Sequence, residues 1–236
     1  MPPGGVKFRH IVPGLDCLID NLTLPRHRHL HAYATIIVSG ALEESSYAGR
    51  IRAIPGDVLI HPDLDAHANH RISPRIRLIR LPWRDRDGIG RLHHLSDLDE
   101  IVRAAERDVH EATALLIAAL DGGLPRSPNE QNDWPDRLAG DLGRDPSMSL
   151  GTWAQTQGLA RETVSRGFTK AYDIAPEVFR AELRTKAAWF RITRESARLD
   201  TIATETGFAD QAHMSRWVRR LTGLPPVAWR RKPSLP

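Results

Sequence analysis

Two periodicities divide this chain of 236 residues. Up to about residue 83 the apolar positions come in short, β-branched runs. YATIIV (33–38) ends at Ser39-Gly40, and IRAIPGDVLI (51–60) folds two apolar runs about a Pro-Gly-Asp turn. RISPRIRLIRL (71–81) alternates apolar with basic or small residues, as a strand with one wet face does. Short strands punctuated by Gly, Pro and Asp predict a sandwich or small barrel. From residue 97 the period lengthens. Leu98, Ile101, Val102, Ala105, Val109, Ala112, Leu115, Leu116 and Ala119 recur at three- and four-residue steps, predicting one amphipathic helix to about Leu120. Ser96 or Asp97 would cap it, and Gly122-Gly123 would stop it. Its apolar stripe packs on its own barrel or pairs with a second subunit. GGLPRSPNEQNDWP (122–135), polar with three prolines, reads as a linker.

Beyond the linker the chain repeats itself. LGTWAQTQGLARETVSRGF (150–168) and LDTIATETGFADQAHMSRWV (199–218) align at Leu150/Leu199, Trp153-Ala154/Ile202-Ala203 and Gly158-Leu159/Gly207-Phe208. The second copy has one extra residue after its turn. Each copy has the makings of a helix-turn-helix: apolar residues at helical spacing, an Ala for close approach, and a Gly able to take positive φ. In the second helix of the first copy Val164, Phe168 and Ala171 would face inward. Glu162, Thr163, Ser165, Arg166, Thr169 and Lys170 would face out. In the other, Met214, Trp217 or Val218, and Leu221 face in, leaving Gln211, His213, Ser215, Arg216 and Arg219 outward. A helix from Pro176 to about Thr193 separates the copies.

Charge sharpens this division. Residues 146–236 hold 15 Lys and Arg against 8 Asp and Glu, whereas the remainder holds 18 against 21. The C-terminal part is therefore the one suited to a polyanion. A single cysteine, Cys17, rules out an intrachain disulfide, and a small buried thiol is expected there. The longest apolar run, 112–120, is too short for a bilayer, and residues 1–10 lack the apolar middle of a signal peptide. A cytoplasmic protein is expected.

Six of the eleven histidines lie between His27 and His70. His27, His29, His31 and Tyr33 alternate, so one extended strand would point all four to one face. His61 precedes Pro62, and His67 follows the PGDVLIHPDLDA segment. This H-x-H strand, the later Gly, the P-G-D turn and the later His resemble the cupin barrel over about residues 26–69. The resemblance implies a divalent ion on His29, His31 and His67, with His27 spare. The Glu that metal-binding cupins carry shortly after H-x-H is missing, and Glu43 comes too late. Three imidazoles can still form an open site for a transition metal. Otherwise His27, His29, His31, Tyr33 and His67 line a polar ligand pocket or a solvent face.

GFADQAHMSRWVRRLTGLPPVAWR (207–230), with the first copy and the intervening helix, closely resembles the AraC/XylS-type bacterial transcription regulators. The resemblance implies a C-terminal domain of two helix-turn-helix units and an N-terminal cupin-like sensor. It places base contacts on Glu162, Thr163, Ser165 and Arg166, and on Gln211, Ala212, His213, Ser215 and Arg216. Thr169, Lys170, Arg219 and Arg220 suit phosphates. Four positions depart from the pattern or from DNA chemistry: Gly167 inside a helix, Ala160 where a capping Ser is usual, acidic Glu162 and short Ala212. The expected fold is α+β in two domains. A sensor barrel occupies 1–95, an amphipathic and dimerising helix 96–121, a linker 122–135, and a DNA-binding domain 136–236. The expected function is a non-enzymatic, DNA-binding transcription regulator that senses a small molecule or metal. Its partners would be double-stranded DNA, an effector, a second copy and, for an activator, RNA polymerase. The alternative is a metal-dependent cupin enzyme, a dioxygenase or isomerase, carrying a DNA-binding domain.

Overall fold

The computed structural model describes residues 12–19, 24–84, 91–121, 125–126 and 133–231. Residues 1–11, most of the expected linker and the side chain of Cys17 lie outside the described set. The fold is α+β, in two compact units that meet in sequence at Asn132/Asp133.

Among the described residues the first unit has nine strands: β1 (Gly14–Ile19), β2 (Leu24–Arg28), β3 (Tyr33–Ser39), β4 (Leu42–Ser46), β5 (Gly49–Ala53), β6 (Asp57–His61), β7 (Ala66–Arg71), β8 (Arg75–Pro82) and β9 (Leu92–His94). They form two antiparallel sheets, ordered β1-β8-β3-β6-β9 and β2-β7-β4-β5. The cupin-like part is thus a two-sheet structure, with no ladder joining the sheets among the described residues. RISPRIRLIRL is not one strand. Ser73-Pro74 breaks it, and β7 and β8 fall in different sheets.

One apolar cluster, including Ile37, Leu42, Ile51, Leu59, Ile76 and Leu78, draws on both sheets. A second lies on the opposite face of the five-stranded sheet, where Ala34, Ile36, Val58, Ile60, Ile79 and Leu81 meet two helices. Strand β3 is therefore wet on neither face, and its apolar run is nearly continuous for that reason.

The expected single amphipathic helix is two helices, α1 (Asp99–Ala105) and α2 (Val109–Leu120). Asp108 causes the break: it is extended, and its carboxylate accepts from His110 N, starting α2 afresh. Ile101, Ala104 and Ala105 of α1 and Ala112, Leu116 and Leu120 of α2 cover the sheet. The stripe is spent on its own unit. One residue of the expected linker is also anchored here. Arg126 donates its backbone N–H to Leu92 O at 2.7 Å and its guanidinium to buried Asp57, which also holds His94 Nδ1 at 2.9 Å.

The second unit is all helical: α3 (Trp134–Arg144), α4 (Leu150–Thr156), α5 (Arg161–Tyr172), α6 (Pro176–Arg194), α7 (Leu199–Glu205), α8 (Gln211–Thr222) and α9 (Pro226–Arg231). Trp134 and Pro135, read as linker from sequence, form the first turn of α3, where Pro needs no N–H partner. The duplication is structural. Leu159 N bonds Ala154 O at 2.9 Å, as Phe208 N bonds Ala203 O at 2.9 Å, across turns with Gly158 at φ 65° and Gly207 at φ 75°. Arg180 donates to Met148 O, and Arg230 donates to Ala197 O at the matching place.

Helix α6, 19 residues and so roughly 28 Å long, supports both copies. Its Phe179 meets Phe168 and Tyr172 of α5, and its Trp189 meets Trp229 of α9 edge-on at 5.5 Å. Helix α3 belongs to the first copy. Its Asp136 accepts from Tyr172 Oη at 2.6 Å and its Asp141 accepts from Trp153 Nε1 at 2.7 Å.

Candidate nucleic-acid interface and sensor cavity

Helices α5 and α8 share one pattern. Val164, Phe168 and Tyr172 are the buried residues of α5, and Met214, Val218, Leu221 and Thr222 those of α8. Tyr172 takes the inward place expected of Ala171, since it stacks on Phe168 at 4.6 Å. On the other face Glu162, Thr163, Arg166, Thr169 and Lys170 are exposed, with Ser165 half-buried. The same holds for Gln211, Ala212, Arg216, Arg219 and Arg220, with Ser215 and His213 half-buried. Arg166 and Arg216 make no ion pair or hydrogen bond among the described residues, so neither guanidinium is spent on the fold.

Two expected contacts are altered. Thr169 Oγ1 donates to Ser165 O at 2.8 Å, which occupies the proton a phosphate would need. His213 Nε2 accepts from Trp217 Nε1 at 3.0 Å, so its Nδ1 carries the proton and is the only ring donor left. Trp217 is half-buried beside it, and Val218 takes the inward place.

The helix starts differ as the sequence suggests. Asp210 caps α8 by accepting from His213 N at 2.6 Å, whereas Ala160 gives α5 no side-chain cap. Gly167 has a spatial reason. A Cβ there would lie 2.7 Å from Trp134 Cη2 and nearer still to Cζ2, so the bare backbone makes room for the indole of α3.

In the first unit the histidines converge between the sheets, in a cavity of about 100 Å3. His27, His29, Tyr33, Glu44, His61 and His67 are among its lining residues, and all six are buried. His31 is not among them. Strand β2 ends at Arg28 and β3 begins at Tyr33, so strand alternation stops before His31, which is exposed. Its place in the expected metal set falls to His27, which with His29 and His67 brings one ligand atom each within 4.8 Å of the others. Sequence reading missed Glu44, His61 and Asp65, which with His67 form a second such group. The missing carboxylate comes from β4, a strand the H-x-H spacing does not reach. Inward parity along β6 could have found His61.

Hydrogen bonds fix the tautomers. Asp65 Oδ2 accepts from His61 Nδ1 at 3.1 Å and His67 Nδ1 at 3.3 Å, while Pro25 O accepts from His27 Nδ1 at 3.0 Å. Each of these three rings therefore has its lone pair on Nε2. A carboxylate behind a histidine is the usual outer support of a metal ligand. Burial would raise the Asp65 carboxyl, but Arg91, at 3.2 Å, and the two histidines hold it well below the ordinary range. Burial pushes Glu44 up to about 7, with His61 opposing and Asp65 adding to the rise. His67 is driven well below its ordinary value, first by burial, and so is held as the neutral imidazole that ligates metals.

Residues 153–232 match a family described as a helix-turn-helix domain. A putative AraC-like transcription regulator of Streptomyces lividans is 26% identical over 137 residues, which is 54% of this chain and 45% of that protein. The C-terminal unit is thus similar to a helix-turn-helix domain over residues 153–232, and the curated relative is the one that carries the AraC-like name. The chain spans about half the length of that curated relative. Similar solved structures include the C-terminal domain of AraT, a response regulator from Geobacillus stearothermophilus (15% identity, 46% of this chain, 92% of that one, TM-score 0.42). Another is fatty-acid-bound ToxT from Vibrio cholerae (9% identity, 93% of this chain, 94% of that one, TM-score 0.41). No helix among the described residues is long and apolar enough to cross a membrane.

Proposed function

We propose that this protein is a sequence-specific DNA-binding transcription regulator whose AraC-type domain presents α5 and α8 to major grooves. One observation carries this: two copies of one helix-turn-helix each bury one face and leave an unengaged arginine, Arg166 or Arg216, on the other. An arginine can take both acceptors of a guanine edge, worth about 1–3 kcal/mol of discrimination. Glu162, Thr163 and Ser165 flank Arg166 as base readers, and Gln211, Ala212, His213 and Ser215 flank Arg216. Lys170, Arg219 and Arg220 hold phosphates. Duplexes selected from a random pool by the purified protein should share a motif. Arg216→Ala should lose preference for that motif by about tenfold or more while keeping its melting temperature. A protein that enriches no motif, or a variant that unfolds, would return the arginine to a structural role.

The two-sheet unit is the sensor in this reading. A cavity of about 100 Å3 falls well below the roughly 300 Å3 of ordinary small-molecule pockets. Its donors are imidazoles and carboxylates, so the ligand that fits is a divalent transition ion. His27, His29 and His67 would hold it, with Asp65 orienting His67. Such an ion supplies positive charge beside two buried carboxylates. It alters DNA binding only as far as it binds one arrangement of the protein better than another.

A further inference from the structure

The two copies differ at one place beside the base-reading face. In the first, a cleft of about 460 Å3 opens between the start of α4, the start of α5 and the start of α6. Arg161, Arg180, Ser149, Ser165 and Glu177 give it its polar lining, with Gly151 at its wall. The Arg161 guanidinium rests against Gly151, where a Cβ would be 3.0 Å from its Cζ. Arg161 makes no ion pair or hydrogen bond among the described residues. Arg180 spends one nitrogen on Met148 O at 2.8 Å, and its Nε is buried with no hydrogen-bond partner among the described residues. Ser149 Oγ accepts from Thr152 N, which leaves its own proton to donate. Two guanidiniums thus face one cleft against a single exposed carboxylate, Glu177.

The second copy carries different residues at this place. Asp200 stands where Gly151 does, Arg198 where Ser149 does, and Gln211 where Arg161 does. Arg198 and Asp200 pair at 2.8 Å, so the charge is neutralised internally.

We propose that the cleft of the first copy is a seat for a backbone phosphate of duplex DNA, gripped by Arg161 and Arg180 with Ser149. In a helix-turn-helix the second helix enters the groove while the first crosses the sugar–phosphate backbone. The cleft lies at the junction of those two elements, beside Ser165 on the outward face of α5. The first copy therefore anchors the protein on the backbone, and the second carries more of the base reading. This division rests on the DNA-binding reading above.

The test uses the full-length protein and a duplex selected from a random pool by wild type, with affinity followed by fluorescence anisotropy across a salt series. Arg161→Gln removes the charge. Gly151→Ala keeps or improves helix propensity and displaces the guanidinium from its seat. Each should lower the salt slope by about one and weaken binding roughly fivefold at 0.15 M salt, the effect of one lost phosphate contact. Base preference should stay as in wild type. The double variant should lose no more than either single one, because both remove the same contact, and Glu177→Gln should bind more tightly. Unchanged affinity and slope in both single variants, with wild type still selecting a motif, would overturn the phosphate seat and leave the regulator reading standing. A wild type that selects no DNA would overturn both. Variants that change which bases are preferred would make Arg161 a base reader instead.

Discussion

Gly167 separates what helix propensity predicts from what packing predicts. In an exposed helix interior, Gly→Ala gains about 1 kcal/mol. In α5 the new methyl would lie 2.7 Å from Trp134 Cη2, against a van der Waals separation of about 3.5–4.0 Å. The indole must therefore move by roughly 1 Å or leave. It sits 6.3 Å from Trp153, and its helix supplies the carboxylates that hold Tyr172 and Trp153. Overpacking of this kind costs about 1–3 kcal/mol. Setting a middle value of about 2 against the helix gain of about 1 leaves a net loss near 1 kcal/mol. Urea unfolding followed by tryptophan emission can measure it, since five of the six tryptophans lie beyond residue 133. In a Trp134→Ala background the same substitution should instead stabilise by about 1 kcal/mol, a coupling of about 2 kcal/mol. Equal stabilisation in both backgrounds would refute the account of Gly167 as the seat of Trp134.

Other expectations follow from the same structure. Ala160→Ser should stabilise the helical unit by about 1 kcal/mol, because residue 160 already has the extended geometry of a cap, φ −70° and ψ 147°; an unchanged urea midpoint would count against it. Asp65→Asn leaves His61, His67 and Arg91 without their common anion and should destabilise the two-sheet unit by about 3 kcal/mol, seen as faster amide exchange in β6 and β7. Unaltered protection there would mean that the network contributes little. Calorimetric titration with zinc should show binding by wild type and by His31→Ala, and its loss in His67→Ala and His27→Ala. Loss in His31→Ala with retention in His27→Ala would restore the alternating-strand arrangement.

The helical half was legible because its determinants are local. A repeat of Leu, Ala and Gly at fixed offsets fixes a helix-turn-helix from within some twenty residues. The outward places of Arg166 and Arg216 follow from the 3.6-residue period alone. The uncapped start at Ala160 was likewise readable in place. The strands of 33–38 and 51–60 announced themselves, but the split at Ser73-Pro74 and the break at Asp108 needed the partners that those residues cap or turn between. The histidine site was least legible. Alternation holds only while a strand continues, and β2 stops before His31.

By itself, then, the sequence determined the two-part organisation, the duplicated reader and which helix faces meet solvent, since each depends on neighbours a few residues away. Tertiary structure alone decided which side chains share the cavity, because Glu44, His61 and His67 come together only when β4 and β7 pair with each other and face β3 and β6 across the core. It also decided why a helix carries Gly167 and where Arg161 rests. Both answers lie in a neighbouring helix, Trp134 in one case and Gly151 in the other, and no periodicity along one segment records what another segment presses against it.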